Sequence, residues 1–129
     1  MNKILVEVSV GELLDKISIL EIKKEKIKNS EKLKFINDEY EILKDQLDKN
    51  VKSDEKIDKL FQSLKEINAK LWIIEDDKRL CEKNSDFTEK FIKLSRDIHF
   101  LNDDRAKIKL EINSHTGSKI REIKNYTKY

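Results

Sequence analysis

A helical stripe of apolar residues occupies residues 87–112 of this chain, and a single charged residue interrupts it. Taking every third and fourth position gives Phe87, Phe91, Leu94, Ile98, Leu101, Arg105, Ile108 and Ile112. This spacing places one face of an α-helix against a neighbouring element. The guanidinium of Arg105 must either meet an acidic group in that face or reach water. The stripe therefore predicts a long packed helix with one polar exception.

Helix breakers are scarce, and apolar residues elsewhere in the chain follow the same helical spacing. The 129 residues include no proline, and glycine occurs only at Gly11 and Gly117. Charged residues make up 42% of the chain and hydrophobic residues 37%. Because the apolar residues are regularly phased, this composition favours a bundle of long helices over a disordered chain.

Four helices are predicted, at about residues 10–28, 31–50, 54–83 and 86–113, followed by a tail at residues 118–129. Ser9 with Glu12, and Asp86 with Glu89, have the spacing of a capping box. Short turns between the helices indicate antiparallel neighbours, and the 3.5-residue rhythm indicates coiled-coil-like packing. We therefore expect one domain over residues 1–129, an all-α, elongated antiparallel four-helix bundle. The apolar phase slips near residue 29, which favours a break between the first two helices without excluding one continuous helix.

The two ends of the chain are harder to assign. Residues 4–8 are β-branched or apolar and have the composition of a short strand. The tail at residues 118–129 fits either a last short helix or a strand. In the second case it would pair with residues 4–8 as a small two-strand ribbon that joins the termini.

No motif in the sequence identifies catalytic or metal chemistry. Acidic pairs spaced by three residues occur five times, and the 26 acidic residues give about that number by chance. The single Cys81 and the two histidines, His99 and His115, lack zinc or di-iron ligand spacing. No glycine-rich phosphate loop is present. We therefore expect no metal and no cofactor, and a non-catalytic protein is favoured over an enzyme.

Counting residues from the turns of an antiparallel bundle places Arg105 at the height of Ile19, Lys109 near Asp15 and Asn113 near Gly11. Polar residues of the first and fourth helices are therefore expected at matching heights. The set consists of Gly11, Glu12, Asp15, Glu21, Asn102, Arg105 and Lys109. One interpretation is a partly buried salt-bridge network that fixes the order and register of the helices. The other is an anion site, in which Arg105 and Lys109 face the N-terminus of the first helix near Gly11.

A second polar line flanks the apolar stripe of the third helix. It consists of Asn68, Trp72, Glu75, Arg79 and Glu82, with Arg96 of the fourth helix at the height of Trp72. Glu75 and Arg79 have the spacing of a stabilising ion pair, and Arg96 could lie over the Trp72 ring. Trp72 either fills a groove between helices or forms the centre of a partner surface.

Charge and cysteine content restrict the partners and the compartment. The net charge of +2 argues against nucleic acid, although the tail carries Lys119, Arg121, Lys124 and Lys128 against Glu122. A lone cysteine indicates a reducing, cytoplasmic location. No apolar run reaches the length of a membrane span, so no membrane is expected. An elongated bundle leaves apolar surface exposed along its sides. This favours a homo-oligomer, most simply a dimer.

Three stretches of the chain together resemble a known family. They are VEVSVGELLDKISILEIKKEKI (residues 6–27), LWIIEDDKR (residues 71–79) and FIKLSRDIHFLNDDRAKIKLEINSHTGSKIREIKNY (residues 91–126). The resemblance is to short helical proteins of bacteria and phages that are classed as a domain of unknown function. It implies no activity and transfers no functional residue. A position of relatives beside sugar-transferase or envelope-polysaccharide genes adds an accessory role in polysaccharide synthesis to the alternatives.

Three functions are therefore weighed. The first is a non-catalytic binding or assembly module that self-associates. The second is a small enzyme or ligand-binding protein for an anionic metabolite, of the phosphate or nucleotide-sugar type, which uses Arg105 and Lys109. The third is nucleic-acid binding through the basic tail.

Overall fold

A computed structural model describes residues 3–129 as four α-helices followed by an irregular tail. The helices are α1 (Val10–Lys26), α2 (Ser30–Asn50), α3 (Glu55–Lys83) and α4 (Glu89–Thr116). This confirms the all-α helical bundle, and within residues 3–129 no strand is formed. None of these four helices is both long and apolar enough to cross a membrane.

Three of the helix starts are set by side-chain caps. Ser9, Asn29 and Asp54 each accept a hydrogen bond of 2.8 to 3.0 Å from the backbone N–H three residues later. Such a cap satisfies a donor that has no partner inside the helix. Because Asn29 caps α2, the first two helices are separate, as the phase slip favoured.

The start of α4 differs from the sequence prediction. The turn after α3 is closed by the backbone, since Ser85 adopts a φ of 52° and Asp86 donates its N–H to the Cys81 carbonyl over 2.8 Å. The Asp86 carboxylate then accepts a hydrogen bond from the Thr88 N–H, so it does not cap the helix. The predicted capping box of Asp86 and Glu89 is therefore wrong. Thr88 occupies the N-cap position of α4, and its side chain forms no capping hydrogen bond. The helix also ends three residues later than expected, at a left-handed Gly117.

Helix α1 is the central element of the bundle. Eight of its 17 residues are buried, whereas α2 buries only Ile36 among its 21 residues. The backbone of α1 lies close to α2, α3 and α4, and α3 lies against α4, while α2 approaches α1 alone. The main hydrophobic cluster joins Leu14 of α1 to Ile57, Leu64 and Ile112. It lies near the end of the bundle where α1 and α3 begin.

The other end of the bundle has fewer helices. Ile22 of α1 lines the same groove as Leu71 and Glu75 of α3. After Ile22, α1 continues for only four residues, whereas α3 continues for eight residues after Glu75. We call residues 76–98, which include the turn between α3 and α4, the distal hairpin. Much of it lies beyond the end of α1, and Leu80, Phe87 and Ile92 there are about half exposed.

Neither terminal segment forms the predicted ribbon. Residues 4–8 belong to no strand, and Ile4, Leu5 and Val6 are largely exposed. The tail is neither helix nor strand. It follows α4, where the Tyr129 hydroxyl donates to Asp103 and the Tyr129 ring meets Phe100 edge-on at 5.5 Å. These side-chain contacts with α4 take the place of strand pairing.

Candidate functional site

The N-terminus of α1 is joined to the C-terminal part of α4 and to the start of the tail. The Gly11 N–H donates to Asn113 Oδ1 over 2.7 Å, and the Val10 N–H donates to Ser118 Oγ over 3.3 Å. Ser9 Oγ accepts a hydrogen bond from the Glu12 N–H. The first three N–H groups of α1 are thus bonded to side chains of the protein, and they are the groups that an anion would need there.

Asp15 is the centre of a buried polar cluster that joins α1, α3 and α4. Its side chain is 2% exposed, and Arg105 binds it with two hydrogen bonds, from Nε to Oδ1 over 3.0 Å and from Nη2 to Oδ2. Asn68 Nδ2 donates to Asp15 Oδ1 over 2.8 Å and to Ser18 Oγ over 2.8 Å. The Ser18 hydroxyl donates a hydrogen bond to the backbone carbonyl of Asp15. A bidentate pair of this kind holds the guanidinium in one orientation.

Lys109 extends the cluster one turn further along α4. Its Nζ lies 2.6 Å from Glu12 Oε2, 3.7 Å from Asp15 Oδ2 and 3.3 Å from Glu122 Oε2. Arg105 and Lys109 therefore face three carboxylates, so the cluster has more negative than positive groups. An anion that binds Arg105 and Lys109 together would have to displace one of these carboxylates. The arrangement favours the interpretation as a salt-bridge network that sets the register of the helices.

The ionisation of the cluster follows from burial and from these contacts. Burial opposes ionisation of Asp15, but hydrogen bonds from Arg105 and Asn68 hold its pKa below the ordinary value. The hydrogen bond to Asp15 raises the pKa of Arg105, against the effect of burial. Burial alone would lower the pKa of Lys109, but Glu12 and Asp15 raise it above the ordinary value. All three groups are therefore charged near neutral pH.

The cluster predicts a loss of stability in acid that depends on Asp15. Because the folded-state pKa of Asp15 lies below its ordinary value of 3.8, the unfolded chain takes up this proton first as the pH falls. The stabilisation is fully present above that value and is lost as the pH falls through the folded-state pKa. Urea unfolding between pH 7 and pH 3 should show a steeper loss for the wild type than for Asp15→Asn. Equal slopes for the two proteins below pH 4 would contradict the prediction.

The remaining residues of the first predicted set, Glu21 and Asn102, do not bind Asp15. Glu21 lies outside the cluster, where it pairs with Lys65 at 3.1 Å and accepts a hydrogen bond from Tyr40. Asn102 is half-buried and lines a groove that Arg105 also lines. Gly11, Glu12, Asp15, Arg105 and Lys109 are brought together.

The second predicted set is divided as well. Trp72, Glu75 and Arg79 line the groove that Arg105 and Asn102 also line. Arg96 lies in a different hollow on α4, next to Phe100, and no cation–π contact with Trp72 occurs in the described part of the chain. Glu82 is exposed on α3.

The expected ion pair between Glu75 and Arg79 is likewise not among the salt bridges of residues 3–129. Neither the possible contact of Trp72 with Arg96 nor the pair of Glu75 with Arg79 is formed among residues 3–129. Helical spacing makes such contacts available, but it does not require them.

The groove between α1, α3 and α4 has a volume of about 440 Å³. Its apolar part is formed by Ile19, Ile22 and Leu71, and Trp72 stands beside them. Polar and charged side chains line the rest, namely Asn68, Glu75, Asp76, Arg79, Asn102 and Arg105. Within residues 3–129, no group of three or more His, Cys, Asp or Glu side chains is arranged to hold a metal ion.

Several contacts of the bundle involve residues that the sequence did not indicate. Ser18 is hidden in the apolar run of α1, and Glu122 belongs to a tail whose path no periodicity indicates. His115 Nε2 lies 2.7 Å from Asp54 Oδ2 and links the end of α4 to the start of α3. One available signal was that α1 is apolar around most of its circumference between Leu13 and Ile22, which is typical of a helix surrounded by others.

None of the curated proteins and none of the solved structures matches this chain. One family model does match, over residues 4–129, and its description is a family of unknown function, DUF6165. The match includes all four helices, the Asp15–Arg105 pair and the groove beside Trp72. The chain therefore belongs to the DUF6165 family.

Proposed function

We propose that this chain is a non-catalytic assembly module that self-associates, as a dimer first, through the distal hairpin. The observation that carries the proposal is its accessible surface of 9826 Å². A compact folded monomer of 15.4 kDa exposes about 7,200 Å², so about 2,600 Å² is in excess. A standard dimer interface removes about 800 Å² from each partner, which the excess can supply.

The distal hairpin offers the apolar part of that surface. Leu80, Phe87 and Ile92 are 48%, 55% and 54% exposed, and of the four helices in residues 3–129 only α3 and α4 extend beyond the end of α1. Two copies of a two-helix hairpin form a four-helix arrangement, which buries apolar seams that a single hairpin leaves half-covered. A net charge of +2 adds little repulsion between copies. The occupant that this geometry favours is a second copy, related by a twofold axis.

Self-association is tested by measuring mass as a function of concentration. At micromolar concentrations, sedimentation equilibrium should give twice the chain mass for the wild type. The Leu80→Glu/Ile92→Glu variant should give the monomer mass, because two buried carboxylates would oppose the interface. Phe35→Glu/Ile42→Glu is the matched control, since both residues are exposed on α2, whose backbone approaches α1 alone. A wild type that stays monomeric, or a control that dissociates equally, would refute the proposal.

The other two functions stay predictions with weaker support. An anionic metabolite at Arg105 and Lys109 would compete with three carboxylates that already bind these residues. Nucleic acid would have to bind Lys119, Arg121, Lys124 and Lys128, whose tail is partly attached to α4. Removal of residues 118–129 should leave any binding to DNA or RNA unchanged if the tail is not the site. A cytoplasmic location, predicted from the free Cys81, also belongs to the proposal.

A further inference from the structure

The groove beside Trp72 unites residues from both predicted sets. Asn102 and Arg105 come from α4, whereas Trp72, Glu75 and Arg79 come from α3. The ion pair predicted between Glu75 and Arg79 is not formed within residues 3–129. The groove lies beside the Asp15 cluster, since Asn68 and Arg105 belong to both, and part of its lining is apolar. A volume of about 440 Å³ is within the range of small-molecule sites.

Arg105 is held in a fixed position at one wall of this groove. Its Nε and Nη2 bind Asp15, and Asp15 is held in turn by Asn68. The hydrogen bonds formed within residues 3–129 leave Nη1 free, and the side chain is 28% exposed. A guanidinium already oriented by buried partners loses little conformational freedom when a ligand binds. This wall is therefore suited to a planar anionic group such as a carboxylate.

The charges along the groove restrict what that ligand can be. Arg79 and Arg105 are cationic, whereas Glu75 and Asp76 are anionic. Arg105 is also largely neutralised by Asp15, so the groove has no excess of positive charge. A polyphosphate would be repelled by the two acids, and a simple cation would be repelled by the arginines. A molecule with one negative and one positive group can place the first near the two arginines and the second near the two acids.

The apolar part of the groove favours a ligand that carries a ring. Trp72 presents an aromatic side chain next to Ile19, Ile22 and Leu71. Aromatic rings stack or meet edge-on with tryptophan, and a flat apolar group covers such a surface well. We propose that this groove binds a small zwitterion that carries an aromatic ring, with its carboxylate at Arg79 and Arg105 and its ammonium at Glu75 and Asp76. This inference does not rest on self-association, although Asp76 and Arg79 belong to the distal hairpin.

Trp72 makes the proposal directly measurable, because it is the single tryptophan of the chain. Its fluorescence should change saturably when phenylalanine is added at millimolar concentrations or below. Phenylpropionate lacks the ammonium and phenethylamine lacks the carboxylate. Each should therefore bind about tenfold more weakly or worse, as expected for the loss of one charged hydrogen bond. ATP should not bind more tightly than phenylalanine.

Two variants assign the charges to their residues. Arg79→Gln should weaken phenylalanine and phenylpropionate about tenfold and leave phenethylamine unchanged. Glu75→Gln should weaken phenylalanine and phenethylamine and leave phenylpropionate unchanged. Arg96→Gln is the matched control, since Arg96 is an exposed arginine outside the groove, and it should change nothing.

The titrations should be repeated on the Leu80→Glu/Ile92→Glu variant, so that a dimer near Trp72 cannot hide the groove. A thermal-shift measurement accompanies each titration, in case binding leaves the fluorescence unaltered. Absence of both signals for phenylalanine up to tens of millimolar would overturn the proposal. Equal effects of Arg79→Gln and Arg96→Gln would overturn the assignment, and tighter binding of ATP would overturn the ligand class.

Discussion

Replacing Arg105 with methionine is expected to lower the free energy of unfolding by about 3–5 kcal/mol, because it leaves a buried carboxylate without its main partner. Asp15 is 2% exposed, so water cannot replace the guanidinium. Folded domains are stable by only about 5–15 kcal/mol, so this loss is a large fraction of the total. Urea unfolding at pH 7, followed by circular dichroism, measures it.

A double variant and a surface control separate this effect from a general loss of charge. Asp15→Asn/Arg105→Met removes the buried charge together with its partner, so its cost should be smaller than the sum of the single costs by about 0.5–3 kcal/mol. Lys59→Met breaks an exposed pair with Glu55 at 3.1 Å and should cost less than about 1 kcal/mol. If Arg105→Met costs no more than Lys59→Met, the Asp15 cluster has no structural role.

Replacing Gly11 with alanine is expected to destabilise the protein by about 1–3 kcal/mol, as overpacking does in a tight interface. A Cβ at this position would lie 2.6 Å from the Lys109 carbonyl oxygen and 2.9 Å from Asn113 Oδ1. The first of these is backbone, so α1 and α4 would have to move apart. That movement would also weaken the hydrogen bond from the Gly11 N–H to Asn113.

The sign of the Gly11→Ala effect is informative, because helix propensity predicts the opposite. Alanine is favoured over glycine inside a helix by about 1 kcal/mol, so a free N-terminus of α1 would become more stable. Lys16→Ala, on the exposed side of the same helix, is the control and should change stability by less than about 0.5 kcal/mol. Thermal melts of the three proteins decide the question, and a higher midpoint for Gly11→Ala would show that α1 and α4 do not approach this closely.

Much of the polar cluster could be predicted from level-matching along an antiparallel bundle. Asn113 was placed near Gly11 and Lys109 near Asp15, and both contacts are present. Arg105 was placed at the height of Ile19, one turn from its actual partner, because a long side chain reaches along the helix. Glu21 was included on height alone, but it pairs with Lys65 of α3. Height along a helix can be read from residue counts, whereas the direction around its axis cannot.

Around Trp72 and at the termini, local sequence patterns allowed contacts that the tertiary structure does not form. Spacing within α3 allowed the pair of Glu75 with Arg79, but rotamers and the neighbouring groove decide whether such a pair forms. The composition of residues 4–8 is that of a strand, yet a strand also needs an edge to pair with. The tail that could have provided it lies along α4 instead, where Glu122 reaches Lys109 and Tyr129 reaches Asp103.

The sequence by itself determined the local structure of this protein, which comprises four helices, the Ser9 cap of α1, the breaks between the helices and the apolar stripe with Arg105 in it. These features depend on residues within a few positions of one another. Only the tertiary structure decided that α1 is central and α2 peripheral. It also decided that Asp15 is the acid that binds Arg105, and that Arg105 faces a groove shared with Trp72. The physical reason is that an apolar stripe states which face of a helix is covered, but not which neighbour covers it.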